Sequence, residues 1–193
     1  MTTVICLTGF HSVGKNYVAN KFCKRFRENT DKDIKIYHFA KKLKQICKIL
    51  FNFTYEQLHG NLKNQLCPIW KVTPRDMFEY VGTDLFQTDI QKKIPELHRN
   101  FWATSLISDF KQDKSTIKVI ADLRFIHEYE MLRERFDKVV VIRVINDDSR
   151  MHSRVEQSHL MIPMDYTIFN SKRNPAYHTE LCIERIAKEL SLY

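Results

Sequence analysis

Glycine is scarce in this chain of 193 residues: only Gly9, Gly14, Gly60 and Gly82 occur. The five cysteines, Cys6, Cys23, Cys47, Cys67 and Cys182, are odd in number and form no C-x-x-C pair. Most sit among apolar neighbours, which speaks against a disulfide framework or a zinc site and for buried, reduced thiols. Long apolar runs are missing too. Val4 to Leu7 is too short for the core of a signal peptide, and no stretch approaches the length needed to span a bilayer. The expectation is a soluble cytoplasmic protein (in the host cytoplasm, should the chain be viral) with no membrane partner. His127-Glu128 is not followed by x-x-His, and no G-x-S-x-G occurs, so zinc-protease and serine-hydrolase chemistry find no support. Internal repeats, low-complexity segments and dividing linkers are absent as well, which predicts one domain over residues 1–193.

What is present is an ordinary globular composition, 44% hydrophobic and 28% charged, long enough to bury a sizeable core. Lysine and arginine outnumber the acids by 31 to 23, which suits polyanionic ligands of any kind. The basic residues are spread along the chain, with only a short Lys41-Lys42-Leu43-Lys44 cluster, so no stable nucleic-acid partner is expected.

The most informative stretch is Thr3 to Val18, TVICLTGFHSVGKNYV. An apolar strand, a loop spelling Gly-x-x-x-x-Gly-Lys and a helix follow one another. This is the phosphate-binding loop pattern, with Asn16 where Ser or Thr is usual. Such a loop gathers backbone N–H groups and a helix N-terminus around one anion, with Lys15 reaching the outer phosphates of a nucleoside triphosphate. The pattern alone arises by chance in roughly one chain in twenty of this length, so its surroundings must decide.

Those surroundings alternate between strand and helix. Strands are expected at Val4 to Leu7, Ile34 to Phe39, Thr116 to Asp122, Lys138 to Ile145 and Tyr166 to Phe169. Helices are expected after the loop to about Glu28, over Ala40 to Leu50, and from Thr54 to Gly60 behind a Thr54-x-x-Gln57 capping box. Another starts at Thr73-Pro74, with Met77, Phe78, Val81 and Leu85 on its core face. A further helix opens at Pro95 and carries Trp102, Leu106 and Phe110, and others follow Asp122 and Ala176. The result is a three-layer α/β domain on a five-stranded parallel sheet.

Ligands of such sheets bind beyond the carboxyl ends of the strands. That rule selects the glycine loop, Lys41 and Lys44, Asp122 and Arg124, the polar 146–163 segment, and Asn170. Asp122 could hold magnesium or a sugar hydroxyl, or cap the helix that follows it. Arg75 is either a solvated surface cation or a phosphate clamp. Trp102 is either core or a base-stacking platform. Arg150 and Arg154 belong either to a solvated loop or to an arginine-bearing lid over residues 146–163.

Taken in order, these segments resemble the phage-type deoxynucleoside monophosphate kinases, a branch of the P-loop kinases. The matching segments are Gly14-Lys15-Asn16, where the family has Gly-Lys-Asp, Tyr37 to Lys44, and TPRDMFEYVGTDLF from Thr73 to Phe86. Trp102, Asp122-Leu123-Arg124 with the downstream His127-Glu128, Glu156, and Asp165 to Asn170 complete the set. The resemblance implies a P-loop kinase fold with a lid, and small-molecule nucleotides as partners. It implies ATP phosphates on Gly9, His11, Ser12, Val13, Gly14, Lys15, Asn16 and Tyr17. An acceptor monophosphate would meet Lys44, Arg75, Gly82, Thr83, Trp102, Asp122 and Arg124. Mg²⁺ would lie near Asn16 and Asp122, and Lys15, Arg124 and Arg150 would carry catalysis.

The expected reaction is transfer of the γ-phosphoryl group of ATP to a deoxynucleoside 5′-monophosphate, in support of DNA precursor supply. A kinase of another phosphorylated acceptor, such as phosphomevalonate, and a basic nucleic-acid-binding protein are the alternatives. Base preference, ribose discrimination and oligomeric state, a homodimer included, stay open at this level.

Overall fold

The computed structural model describes residues 2–147, 157–170 and 175–190. They separate into two compact units, residues 1–38 with 108–193, and residues 39–107. No composition shift or linker in the sequence marks the second unit, because it is an insertion after one strand rather than an appended domain.

Among the described residues the first unit holds five strands: β1 (Thr3–Thr8), β2 (Ile34–Tyr37), β3 (Ile117–Ile120), β4 (Lys138–Ile145) and β5 (Tyr166–Phe169). They form one parallel sheet in the order β2-β3-β1-β4-β5, with β1 at its centre. Val4, Ile5, Cys6 and Leu7 are all fully buried, so both faces of the central strand are covered, as a near-continuous apolar run in a parallel sheet requires. On one face α1 (Lys15–Asn29) contributes Val18, Phe22, Cys23 and Phe26 to the core. The closing helix Pro175–Glu189 adds Ile183, Ile186 and Ala187. The five-stranded parallel α/β architecture is the one the sequence pattern predicts.

The second unit is helical. It begins with α2 (Ala40–Phe51) and the short α3 (Tyr55–His59), where Thr54 and Gln57 make both bonds of the expected capping box. Next comes α4 (Pro74–Glu79), started by Thr73, whose hydroxyl accepts the Asp76 N–H, and by Pro74 in the first turn. Cys47, Phe53, Leu58, Cys67 and Val81 form its core.

Two expectations fail here for local reasons. Helix α4 does not continue as an α-helix but widens into a π-helix over Tyr80–Thr88. Its i→i+5 repeat makes Phe86, five residues after buried Val81, pack on the core. Leu85, the residue an α-helical repeat would bury, is instead 40% exposed. The helix expected from Pro95 starts only at Phe101. Pro95–Leu97 makes a single 3₁₀ turn, and His98 at φ 48° breaks the chain direction before α5 (Phe101–Lys111).

Among the described residues the chain also forms α6 (Ile126–Arg135) and, as α7, the closing helix Pro175–Glu189. Among the described residues no helix is long and apolar enough to cross a membrane.

Candidate functional site

Parallel registration brings several strand ends of the first unit to one edge. Ile120 pairs with Cys6 on one side and Tyr37 on the other, Thr8 with Arg143, and Ile145 with Phe169. The residues that follow these pairs, His38, Gly9, Asp122, Asn146 and Asn170, therefore leave the sheet on its carboxyl side.

The loop between β1 and α1 has backbone angles that its two glycines permit. Gly9 lies at φ 137° and Gly14 at φ 89°, and a Cβ on either would fall 2.2 Å from the Val144 carbonyl oxygen or 2.1 Å from Asn170 Nδ2. Ser12 also has positive φ, 61°, so the loop bends sharply just ahead of the helix. Val13 turns inward and is fully buried, which anchors the loop in the core. The first turn of α1 carries no acidic residue to compete with an anion at the helix N-terminus.

Lys15 folds back across the loop. Its ammonium donates to the carbonyl oxygens of Gly9 at 2.8 Å and Phe10 at 2.7 Å. Asn16 and Tyr17 are exposed on the first turn, and the half-buried His11 accepts from or donates to Ser12 Oγ at 2.6 Å.

Beside this loop, the chain leaving β3 stays attached to its neighbours. Ala121 N–H donates to Tyr37 O at 3.0 Å, and Leu123 N–H to Leu7 O at 3.1 Å. Between them Asp122 is largely buried, at 14% side-chain exposure, with Oδ2 4.0 Å from His38 Nδ1. The turn that presents Arg124 is held by Glu128. One oxygen of this buried carboxyl accepts the N–H groups of both Arg124 (3.0 Å) and Phe125 (3.1 Å). Burial pushes the Glu128 carboxyl up to about 8, although those two N–H groups pull the other way. The start of α6 is thus secured by Glu128.

Lys44, Arg75, Gly82, Thr83 and Trp102 belong to the second unit. Arg75 is not a freely solvated cation: its side chain is 23% exposed, 3.8 Å from the Glu79 carboxylate, with Nη1 donating to Asn64 Oδ1 at 3.5 Å. Lys44 Nζ lies 3.3 Å from His59 Nδ1. Trp102 is core, 5% exposed, and its indole N–H donates to Gly82 O at 2.7 Å. It therefore reaches the Gly82-Thr83 step by supporting its backbone. Arg150, Arg154 and Glu156, with half of the lid expected over residues 146–163, lie outside the described residues.

Asn146 and Asn170, read from the sequence as groups facing a nucleotide, turn their amides onto the loop itself. Asn146 Nδ2 donates to Ser12 O at 3.3 Å and Asn170 Nδ2 to Val13 O at 2.9 Å. Their position after strands β4 and β5 was visible in the sequence; their target was not.

For Mg²⁺ the donor set is sparse. Among the described residues no three His, Cys, Asp or Glu side chains cluster as a metal site. The largely buried Asp122 carboxylate, at the carboxyl edge of the sheet, is a hard oxygen donor of the kind that could meet a cation shared with substrate phosphates.

With this geometry in view, comparison with known proteins adds a similar sequence and a similar fold. No family model matches the chain. A protein of Acanthamoeba polyphaga mimivirus, named provisionally as a deoxynucleotide monophosphate kinase, is 26% identical over 165 residues, covering 78% of this chain and 83% of its own. The resemblance to the deoxynucleoside monophosphate kinases holds. Among solved structures, shikimate kinase from Aquifex aeolicus superposes with a TM-score of 0.50 at 12% identity, covering 98% of this chain and 96% of that one. The architecture is accordingly that of the P-loop kinases, with the glycine loop after the central strand.

Proposed function

We propose that the protein is a deoxynucleoside monophosphate kinase, transferring the γ-phosphoryl group of ATP to a deoxynucleoside 5′-monophosphate. The observation that carries this reading is the placement of the Gly9-to-Lys15 loop and the Asp122-Leu123-Arg124 turn after the adjacent strands β1 and β3, with Leu123 N–H bonded to Leu7 O at the end of β1. Similarity to the mimivirus protein supports the acceptor class.

In this reading the loop N–H groups and the α1 N-terminus bind the donor phosphates, and the Lys15 ammonium exchanges its two carbonyl partners for phosphate oxygen. Asp122, together with the substrate phosphates, would hold Mg²⁺, which when bound neutralises phosphate charge. The attacking atom is an oxygen of the acceptor monophosphate, already anionic near neutral pH. The new P–O bond forms to it as the bond to the β-phosphate oxygen breaks, leaving ADP and a deoxynucleoside diphosphate. No proton must be removed by a strong base, which agrees with a site offering cations and backbone donors. Arg124 would stabilise charge on the moving group, and Lys44, Arg75 and Thr83 would bind the acceptor. Catalysis then rests on in-line positioning and charge neutralisation.

The test is a panel of deoxy- and ribonucleoside monophosphates with ATP and Mg²⁺, followed by diphosphate formation, with phosphomevalonate in a parallel assay. Turnover of one or more deoxynucleotides is expected. Turnover of phosphomevalonate alone would move the protein to the other acceptor class, and no ADP release with any acceptor would overturn the kinase reading.

A further inference from the structure

The loop that binds phosphate in the reading above must turn its N–H groups inward. In a planar trans peptide the C=O of one residue and the N–H of the next point in opposite directions, so fixing a carbonyl on the outside fixes the following N–H on the inside. Two side-chain amides make such contacts on consecutive carbonyls. Asn146, directly after β4, donates to Ser12 O, and Asn170, directly after β5, donates to Val13 O. The peptide N–H groups paired with these carbonyls belong to Val13 and Gly14, immediately ahead of the α1 N-terminus.

Asn170 is itself held from three sides. Its backbone N–H donates to Ile145 O at 2.8 Å, and its Oδ1 accepts from the buried Thr179 hydroxyl at 3.4 Å, which selects the amide orientation with Nδ2 toward the loop. A Cβ at position 14 would lie 2.1 Å from Asn170 Nδ2, so the amide and Gly14 are packed against each other. Left-handed residues at Ser12 (φ 61°) and Gly14 (φ 89°) flank Val13, and turns of this kind let successive N–H groups converge on an anion.

We infer that Asn170, seconded by Asn146, is a positioning residue for the donor phosphates, setting the orientation of the Val13 and Gly14 N–H groups without touching substrate. This inference rests on the phosphate-loop reading of Gly9 to Lys15. It goes beyond that reading in assigning the loop's shape to amides contributed by the two strands on the far side of β1 from β3.

The experiment compares wild type, Lys15→Ala, Asn170→Asp and Asn146→Ala by calorimetric titration with Mg·ATP, by the KM for ATP and for the deoxynucleotide, and by melting temperature. Asn170→Asp keeps the shape of the side chain but replaces the donor with a carboxylate facing the Val13 carbonyl. ATP affinity should fall about tenfold or more, with KM for ATP rising and KM for the acceptor unchanged. Asn146→Ala should weaken ATP a few-fold with little change in melting temperature. It carries the test by itself if Asn170→Asp does not fold.

A purely structural role would lower the melting temperature or the active fraction and leave KM for ATP alone, and that result would overturn the inference. If wild type itself binds no Mg·ATP, the underlying phosphate-loop reading fails. If wild type binds, Lys15→Ala loses binding and both asparagine variants retain it, the loop reading stands and only this inference falls.

Discussion

The indole N–H of Trp102 donates to the backbone carbonyl of Gly82 at 2.7 Å, across twenty residues of sequence, with the buried indole packed against the half-buried rings of Phe86 and Phe101. Gly82 lies within the π-helix over Tyr80–Thr88, and a Cβ there would meet Leu43 Cδ2 at 2.7 Å. The tryptophan thus stabilises an irregular backbone segment at the Gly82-Thr83-Asp84 step. Trp102→Phe keeps an aromatic ring but trims its volume and removes the indole N–H that the Gly82 carbonyl accepts. Stability should fall by about 1–3 kcal/mol in denaturant titration. If the step contacts the acceptor, KM for the deoxynucleotide should rise while KM for ATP does not.

Lys15 is the cation the loop is built around. Removing a charge that stabilises a transferring phosphoryl group commonly costs a few kcal/mol at the transition state, or about a hundredfold or more in rate. Lys15→Ala should therefore lose at least that much turnover. The fold should persist, since the side chain reaches loop carbonyls and is not part of the hydrophobic core. Circular dichroism with a coupled ADP assay checks both statements, and full activity would remove Lys15 from the mechanism.

How far the sequence discloses this structure depends on what kind of contact sets each feature. Periodicity locates every strand, because burial of both faces of a parallel sheet leaves near-continuous apolar runs such as Val4 to Leu7. Glycine spacing locates the loop, because Gly9 and Gly14 occupy angles that other residues resist. Features set by individual side-chain partners or by an irregular backbone stay hidden. Lys118 sits inside an apparently apolar strand, yet it is buried, with its ammonium on Ser115 Oγ and the Asp113 and Ser115 carbonyls. Leu85 was placed in the core by an α-helical repeat that the π-helix does not follow. For the site, the strand-end rule found Asn146 and Asn170 but assigned them to the ligand, since composition cannot show which way an amide turns.

Asn16 stands where a metal-coordinating hydroxyl, or the acid of the resembling kinases, would be. An amide is a weaker partner for Mg²⁺ than a carboxylate acting through water. Asn16 is exposed on the first turn of α1, so a substitution there should not disturb packing. An added carboxylate at a helix N-terminus is favourable to the helix as well. Asn16→Asp should keep or raise turnover, most visibly at limiting Mg²⁺. A clear loss at all Mg²⁺ concentrations would show that the amide has a role of its own at the donor phosphates.

Two carboxyls shape the pH dependence of stability in opposite directions. The Lys35 ammonium, which donates to Asp113, and the Ser115 hydroxyl and N–H hold the Asp113 carboxyl well below the usual carboxylate range. Its contribution is present above its unfolded value near 3.8 and is lost as pH falls through the acid range below that. Glu128 behaves in reverse. Burial raises it from 4.5 in the unfolded chain to about 8, so between those values the folded protein holds a proton that the unfolded chain has released. Stability therefore declines as pH rises across that window, by a few kcal/mol in order of magnitude. Urea unfolding from pH 3 to 9 should show a maximum in mildly acidic buffer, near pH 4 to 5 by the balance of these two windows. Glu128→Gln retains an oxygen acceptor for the Arg124 and Phe125 N–H groups without the ionisable proton, and it should flatten the limb above pH 5 while leaving the acid limb unchanged. A wild-type stability that climbs steadily from pH 5 to 8 would show that the Glu128 carboxyl ionises normally, its two N–H partners and nearby Arg124 outweighing its burial.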